Sequence, residues 1–306
     1  MFFGKVFAMG SAMLLMAHTA AHEASPPLLD RRFDQVAWLT THNSFNVGTG
    51  GNQDQSISRQ LADGVRGLMI DIYDQDGRAV VRHTRVTRGE FLADLLNREV
   101  IPFLQLTPDA VVTIFLDDHV SAEVLNRELD NSLGLAPLVF DPDTWDTAEW
   151  PTLRDMIDRG QRLLIFSYEL DHPTARRYNT PEGAVRVMAS TAGTVENYWS
   201  LGLTRFSHDY SCVSRWKPGL PLTTANVSWQ GKAWSRVFVM NHFHGISLLS
   251  DAHHDNRLNT LTERLNDYCY PAAGRKPNFV ALDYYNLGDG MRFVEGINNG
   301  NIDPGK

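Results

Sequence analysis

Short apolar runs that stop at a polar, often proton-active residue recur along this chain, and they limit its fold more than any other feature. Residues 36–41 run into His42-Asn43, 68–70 into Asp71, and 79–82 into His83. Residues 111–116 run into Asp117-Asp118-His119, and 162–166 into Ser167 and Glu169. Residues 237–240 run into Asn241-His242, and 279–282 into Asp283. Runs this rich in Val, Ile, Leu and Phe read as buried parallel strands. Between them, apolar residues fall at helical spacing: Phe91, Leu92, Leu95 and Leu96; Val124, Leu125 and Leu129 after a Ser121 N-cap; Leu153, Met156 and Ile157; Leu258, Leu261 and Leu265. Alternating strands and helices imply an α/β fold, here a single (β/α)8 TIM-type barrel over residues 22–306, with its sixth strand expected within 195–210. In such a barrel all strand C-termini face one mouth, where catalytic residues gather. A doubly wound open sheet also places ligands at strand C-termini, but no Gly-rich phosphate loop follows the first run.

The chain of 306 residues carries a net charge of -8, which argues against a broad nucleic-acid surface or long-range attraction to anionic membranes. Phosphate chemistry would have to use local charge. Near the start, Lys5 precedes an apolar stretch, 6–17, and then Thr19-Ala20-Ala21. This reads as a signal peptide, 1–21, because the stretch falls short of the roughly 20 residues needed to span a bilayer. A secreted or periplasmic location follows, and no later segment predicts a transmembrane helix. Cys212 and Cys269 are the only cysteines. In an exported chain they are expected to form one disulfide; two separate buried thiols are the alternative, since sequence does not give their distance.

Two histidines at strand ends, His42 and His83, suit general acid–base catalysis, because imidazole exchanges a proton near neutrality. His119 and His242 share the position. Asp71, Asp117 and Asp283 read as metal ligands or histidine orienters, against the ordinary fate of a loop cap or surface ion pair. An aspartate directly after a buried strand is costly to desolvate without a partner.

These residues carry a resemblance. Leu39-Thr40-Thr41-His42-Asn43-Ser44-Phe45 resembles the opening motif of the phosphatidylinositol-specific phospholipase C X-domain family. Gly64-Val65-Arg66 through Asp71 is similar to its second strand, and Val81-Arg82-His83-Thr84 to the segment with its second catalytic histidine. Residues 113–119 are similar to its fourth strand, and 150–153 and 278–286 to late segments of secreted bacterial members.

The resemblance implies cleavage of phosphatidylinositol-type lipids at a membrane surface to diacylglycerol and a cyclic inositol phosphate. His42 would be the base and His83 the acid, with Asp283 orienting His42. Asn43, Asp71 and Asp117 match calcium-ligand positions, so Ca²⁺ is the implied cofactor and Mg²⁺ the alternative ion. Metal-free bacterial members place an arginine where this chain has Asp71. Met69 stands where the eukaryotic pattern has glutamate, which implies a weak site. No lysine follows Leu163-Leu164-Ile165-Phe166-Ser167, which favours a headgroup without ring phosphates. Arg205, Arg215 and Lys217, and Trp199, Trp216 and Trp229, are candidates for lipid contact beside an ordinary surface reading. A barrel phosphodiesterase acting on glycerophosphodiesters or sphingolipids, and a non-catalytic headgroup-binding barrel, are the competing expectations.

Overall fold

The computed structural model describes residues 27–84, 89–146, 149–168, 175–216, 219–229 and 232–304. The signal-peptide reading, Glu169 and Lys217 lie outside the described residues. Thirteen strands are present among them: β1 (Trp38–Thr41), β2 (Gly67–Gln75), β3 (Arg78–Val81), β4 (Glu90–Phe91), β5 (Val112–His119), β6 (Leu163–Ser167), β7 (Ala175–Thr180), β8 (Gly183–Ala189), β9 (Thr194–Glu196), β10 (Asn226–Trp229), β11 (Lys232–Ser235), β12 (Val237–His242) and β13 (Phe279–Leu282). Eight of them run parallel around a curled sheet in the order β8-β6-β5-β2-β1-β13-β12-β9. This is the expected barrel, with one seam. β9 pairs on one side only, with β12, and β7 occupies the outer edge of β8. No main-chain ladder joins β8 to β9 among the described residues.

The order departs from the sequence reading in two places. The run 79–82 is not a barrel strand: β3 folds back on β2 as an antiparallel hairpin. Asp76 and Gly77, both at positive φ (54° and 77°), make the turn, the geometry an Asp-Gly pair favours in two-residue hairpins. The fifth barrel position belongs to β8, whose interrupted pattern, with half-buried Arg186 between Val185 and Val187, lacks a continuous apolar run. β9 stands at the edge of the window expected for the sixth strand.

Side chains alternate across each strand. On β2, Leu68, Ile70 and Ile72 join the helix-facing core, while Met69 joins the cluster inside the barrel. On β5, Ile114 and Leu116 point out and Phe115 points in; on β13, Val280 and Leu282 point out and Phe279 and Ala281 point in. Phe115 stacks on Phe166 at 5.5 Å and meets Phe279 edge-on at 5.0 Å, which fills the interior below the mouth. The outer layer forms as expected. Ser121 accepts a hydrogen bond from the Val124 amide at the start of the helix Ala122–Asp130. The helical face at 91–96 continues through one π turn into Ile101–Leu106. Cys212 and Cys269 are disulfide-bonded, with Cα atoms 4.9 Å apart.

Candidate active site

The alternation that builds the core also builds the site. Continuing the inward-facing rows past Phe115, Phe166, Val239 and Ala281 brings Asp117, Tyr168, Asn241 and Asp283 to the mouth. His42, Asn43, Asp71, His83, Asp117, Glu196, Arg215 and Phe243 line one cavity of about 270 Å³ there. A larger recess of about 630 Å³ lies at the opposite end, against residues that precede β1, β12 and β13, and neither His42 nor His83 lines it.

His42 leaves β1 with its Nδ1 2.8 Å from Asp283 Oδ1. Donation from Nδ1 to the carboxylate turns Nε2 toward the cavity. The ring lies flat on Phe243, with centroids 3.6 Å apart and planes 5° from parallel. Asn52 donates to Asp283 Oδ1 at 3.1 Å, and Asn46 donates to Asn52 Oδ1 at 2.7 Å. Gln53 Nε2 donates to the carbonyls of His42 and Leu282, which ties the ends of β1 and β13 together. The residue after each of these two side chains, Asn43 and Tyr284, sits at positive φ (44° and 45°). This sharp turn costs a bulky residue about 1–2 kcal/mol. At Tyr284 the strain is held by the amide bonding to Asn52 and the hydroxyl donating to Gly51.

Asn43 is the centre of the pair. With its amide nitrogen turned to Asp71 it donates to both carboxylate oxygens at 3.2 Å, and its oxygen meets His83 Nδ1 at 3.1 Å and His42 Nε2 at 3.2 Å. In the opposite orientation its oxygen faces the Asp71 carboxylate, and its nitrogen donates to Asn52 Oδ1 at 3.2 Å and meets His83 Nδ1 at 3.1 Å. His83, half-exposed just past β3, has Nδ1 3.6 Å from Asp71 Oδ2, a charge contact rather than a full hydrogen bond. Asp71 pushes the His83 pKa above its ordinary value, and partial burial opposes it. The two histidines thus differ in surroundings: His83 stands against Asp71, which raises its pKa, and His42 turns Nδ1 to Asp283 and Nε2 to the cavity side.

The other expectations divide. Asp117 faces the cavity, while Asp118 points away and accepts from Ser167 Oγ at 2.6 Å. His119 stacks on Tyr73 and pairs with Asp117. His242 faces the helix layer and is buried, between Arg264 and the Asp255 carbonyl, so it is not at the mouth. Trp229 is buried and Arg205 pairs with Asp251, away from the cavity, whereas Trp199 lines it.

On the far wall, sequence reasoning named Arg215 and missed Glu196. Glu196, fully buried on β9, accepts from Asn241 Nδ2 at 2.6 Å and from the Arg215 guanidinium at 3.1 Å. Arg215 lies over the Tyr168 ring at 4.3 Å. Glu196 Oε2 has no hydrogen-bond partner. Three residues of β9 are too short a run to show period 2, so no local pattern announces Glu196, whereas Arg215, which reaches the site from a loop, is one of the expected lipid-contact candidates.

The PI-PLC X family model matches residues 28–182, just over half of the chain. A PI-PLC X domain-containing protein of Arabidopsis thaliana is 28% identical over 84% of this chain, which spans 60% of that protein's length. A second one, from Arthroderma benhamiae, is 25% identical over 89% of this chain and 88% of its own. An uncharacterised secreted protein of the same fungus is 23% identical over 85% of this chain and 59% of its own. Among solved structures, the phosphatidylinositol-specific phospholipase C of Listeria monocytogenes overlays with a TM-score of 0.56 at 15% identity, covering 90% of this chain and 96% of its own. A mutant of the Staphylococcus aureus enzyme overlays at 0.51 and 14%, covering 89% and 93%. At these identities the overlays speak for the barrel alone, and the matched segment, which holds His42, Asp71, His83 and Asp117, places this chain in the PI-PLC X family.

Proposed function

We propose that the protein is an exported phosphodiesterase that cleaves phosphatidylinositol-type lipids by acid–base catalysis. The observation that carries this reading is that His42 and His83 approach the same Asn43 side-chain amide within 3.2 Å, each beside its own carboxylate. His42 Nε2 takes the proton of the inositol 2-hydroxyl, and that oxygen attacks phosphorus. The phosphorus–oxygen bond to diacylglycerol breaks, and His83 gives its proton to the departing oxygen. The product is a cyclic inositol phosphate, which water opens with the two roles reversed. Glu196 Oε2 and the Arg215 side chain suit the ring hydroxyls of a polyol, since an unpaired buried carboxylate oxygen gains most from a hydroxyl donor.

The phosphate charge also needs a counter. Arg215 brings the one guanidinium among the described residues that line the cavity, and Glu196 neutralises it. Asp71 and Asp117 bring carboxylate oxygens onto the same cavity, and Asn43 adds a third when its side chain turns its oxygen, in place of its nitrogen, toward Asp71; oxygen donors fit Ca²⁺. These three would hold the ion, which when bound supplies positive charge opposite the phosphate. Met69, next inward from Asp71 on β2, adds no oxygen, consistent with weak binding. The disulfide and the secreted relative support export, and no described helix is long and apolar enough to cross a membrane.

The test is headgroup release from vesicles of phosphatidylinositol, phosphatidylcholine or sphingomyelin, and from glycerophosphoinositol, with and without a calcium chelator, followed by phosphorus NMR. Cyclic inositol phosphate from phosphatidylinositol, lost on chelation, is the expected result. Release from another phosphodiester but not from phosphatidylinositol rejects the substrate; full turnover under chelation rejects the ion.

A further inference from the structure

We propose that His208, His244 and Asp255 form a binding site for a borderline divalent transition metal, zinc being the ion of best fit. The cluster is separate from the acid–base pair and rests on its own geometry. Asp255 ends the helix Leu249–Asp255 with its carboxylate almost fully buried. His244 Nε2 lies 2.7 Å from its Oδ2, and His208 Nε2 lies 3.1 Å from its Oδ1. The ligand atoms of the three residues all fall within 4.8 Å of one another.

In a tetrahedron with bonds of about 2.05 Å, ligand atoms stand about 3.3 Å apart, so the three groups need only a small adjustment to close on an ion. Two imidazoles and one carboxylate suit zinc and its neighbours in the first row, whereas Ca²⁺ and Mg²⁺ prefer oxygen throughout. His208 is partly exposed, which leaves a coordination position open to solvent.

The surroundings of His244 point the same way. Its Nδ1 faces the Gly202 carbonyl at 3.3 Å and its Nε2 faces the Asp255 carboxylate. A cation between Nε2 and the carboxylate leaves Nδ1–H to donate to a backbone carbonyl, the arrangement that orients histidine ligands in metal sites. His254 Nδ1, 2.9 Å from Asp255 Oδ1, then supports the carboxylate from outside the ligand set. The cluster joins two stretches that frame the catalytic cavity. His208 follows the loop that carries Trp199, and His244 follows Phe243, on which the His42 ring lies. A metal here ties the floor under His42 to the cavity rim without touching substrate.

The experiment uses the full chain, purified without a histidine tag. Zinc is counted by mass spectrometry after dialysis, its affinity is measured by competition against a chromophoric chelator, and cobalt(II) loading is followed by visible absorption. One zinc per chain, a cobalt spectrum of low-symmetry four-coordinate type, and no displacement by millimolar calcium are expected. His208→Gln sits at the exposed side and keeps the fold testable; it should weaken zinc by about 100-fold or more, since even a supporting group outside the ligand set is worth 10–100-fold. Asp255→Asn should do the same where circular dichroism shows native structure. Wild-type protein that takes up no zinc at micromolar free ion, or His208→Gln that binds it as tightly as wild type, overturns the assignment and leaves Asp255 as a hydrogen-bonding hub for histidines.

Discussion

Replacing Asp283 by asparagine isolates the electrostatic part of the proposed base. The substitution keeps the side-chain shape, but it removes the carboxylate 2.8 Å from His42 Nδ1, whose Oδ1 also accepts from Asn52. A hydrogen bond to a charged group is worth about 1.5–3 kcal/mol, which alone is about 10–150-fold in rate if it acts only when His42 becomes cationic. An asparagine that donates to Nδ1 also selects the tautomer with its proton on Nε2, which faces the cavity and cannot accept the substrate proton. Loss of the base is then complete, at about 10²–10⁴-fold. The expected fall in kcat on phosphatidylinositol vesicles is therefore about 10²–10⁴-fold. KM should stay near wild type, because Asp283 contacts His42 and Asn52 and lies outside the residues that line the cavity. Stopped aliquots analysed by phosphorus NMR give kcat, and a thermal melt confirms the fold. A kcat within about threefold of wild type refutes the assignment of His42 as a carboxylate-oriented base.

Reducing Cys212–Cys269 or replacing both by serine opens a loop of 57 residues and should cost about 4 kcal/mol on the chain-entropy account, read from urea unfolding with and without reductant. Arg215→Ala leaves the buried Glu196 carboxylate without its charged partner, and should destabilise by about 3–5 kcal/mol, whereas Arg215→Ala with Glu196→Gln should recover much of that loss. Burial, helped by the Arg264 charge, holds the His242 pKa down to about 3. Unfolding returns it to about 6.5, so the unfolded chain binds the extra proton between those limits. Stability from this group is complete above about pH 6.5 and falls by up to about 1.4 kcal/mol per unit below it; a urea midpoint that does not move between pH 7 and 5 would count against the buried neutral ring.

The barrel and the meeting of His42 and His83 at one cavity were legible because both are written locally. A buried parallel strand is a continuous apolar run, and the polar residue that ends it sits at the mouth by construction. The run 79–82 misled because hairpin and barrel strands share that composition, and only the Asp76-Gly77 turn separates them. Period 2 accounts for His242: it ends a strand as His42 does, but one position out of phase with the inward Asn241 and Phe243. Asn52, Gln53 and Glu196 were not legible, because Asn52 and Gln53 reach the site from a loop, Glu196 sits on a strand of three residues, and their partners are distant in sequence. His208, His244 and Asp255 meet for the same reason, across a turn of chain no spacing motif records.

The unlaced edge between β8 and β9 has a mechanical meaning. A ring of strands closed by hydrogen bonds has a fixed girth, whereas this one resembles a cuff held by a clasp. Arg215, tied to β9 through the Glu196 carbonyl and carboxylate, is the clasp, and the Tyr168 ring at the end of β6 is where it fastens. Spreading the cuff breaks a cation–aromatic contact of about 1 kcal/mol and no strand pairing. The wall proposed to meet a headgroup can thus widen for a bulkier ring substituent while the wall that carries His42 and Asp283 keeps its place.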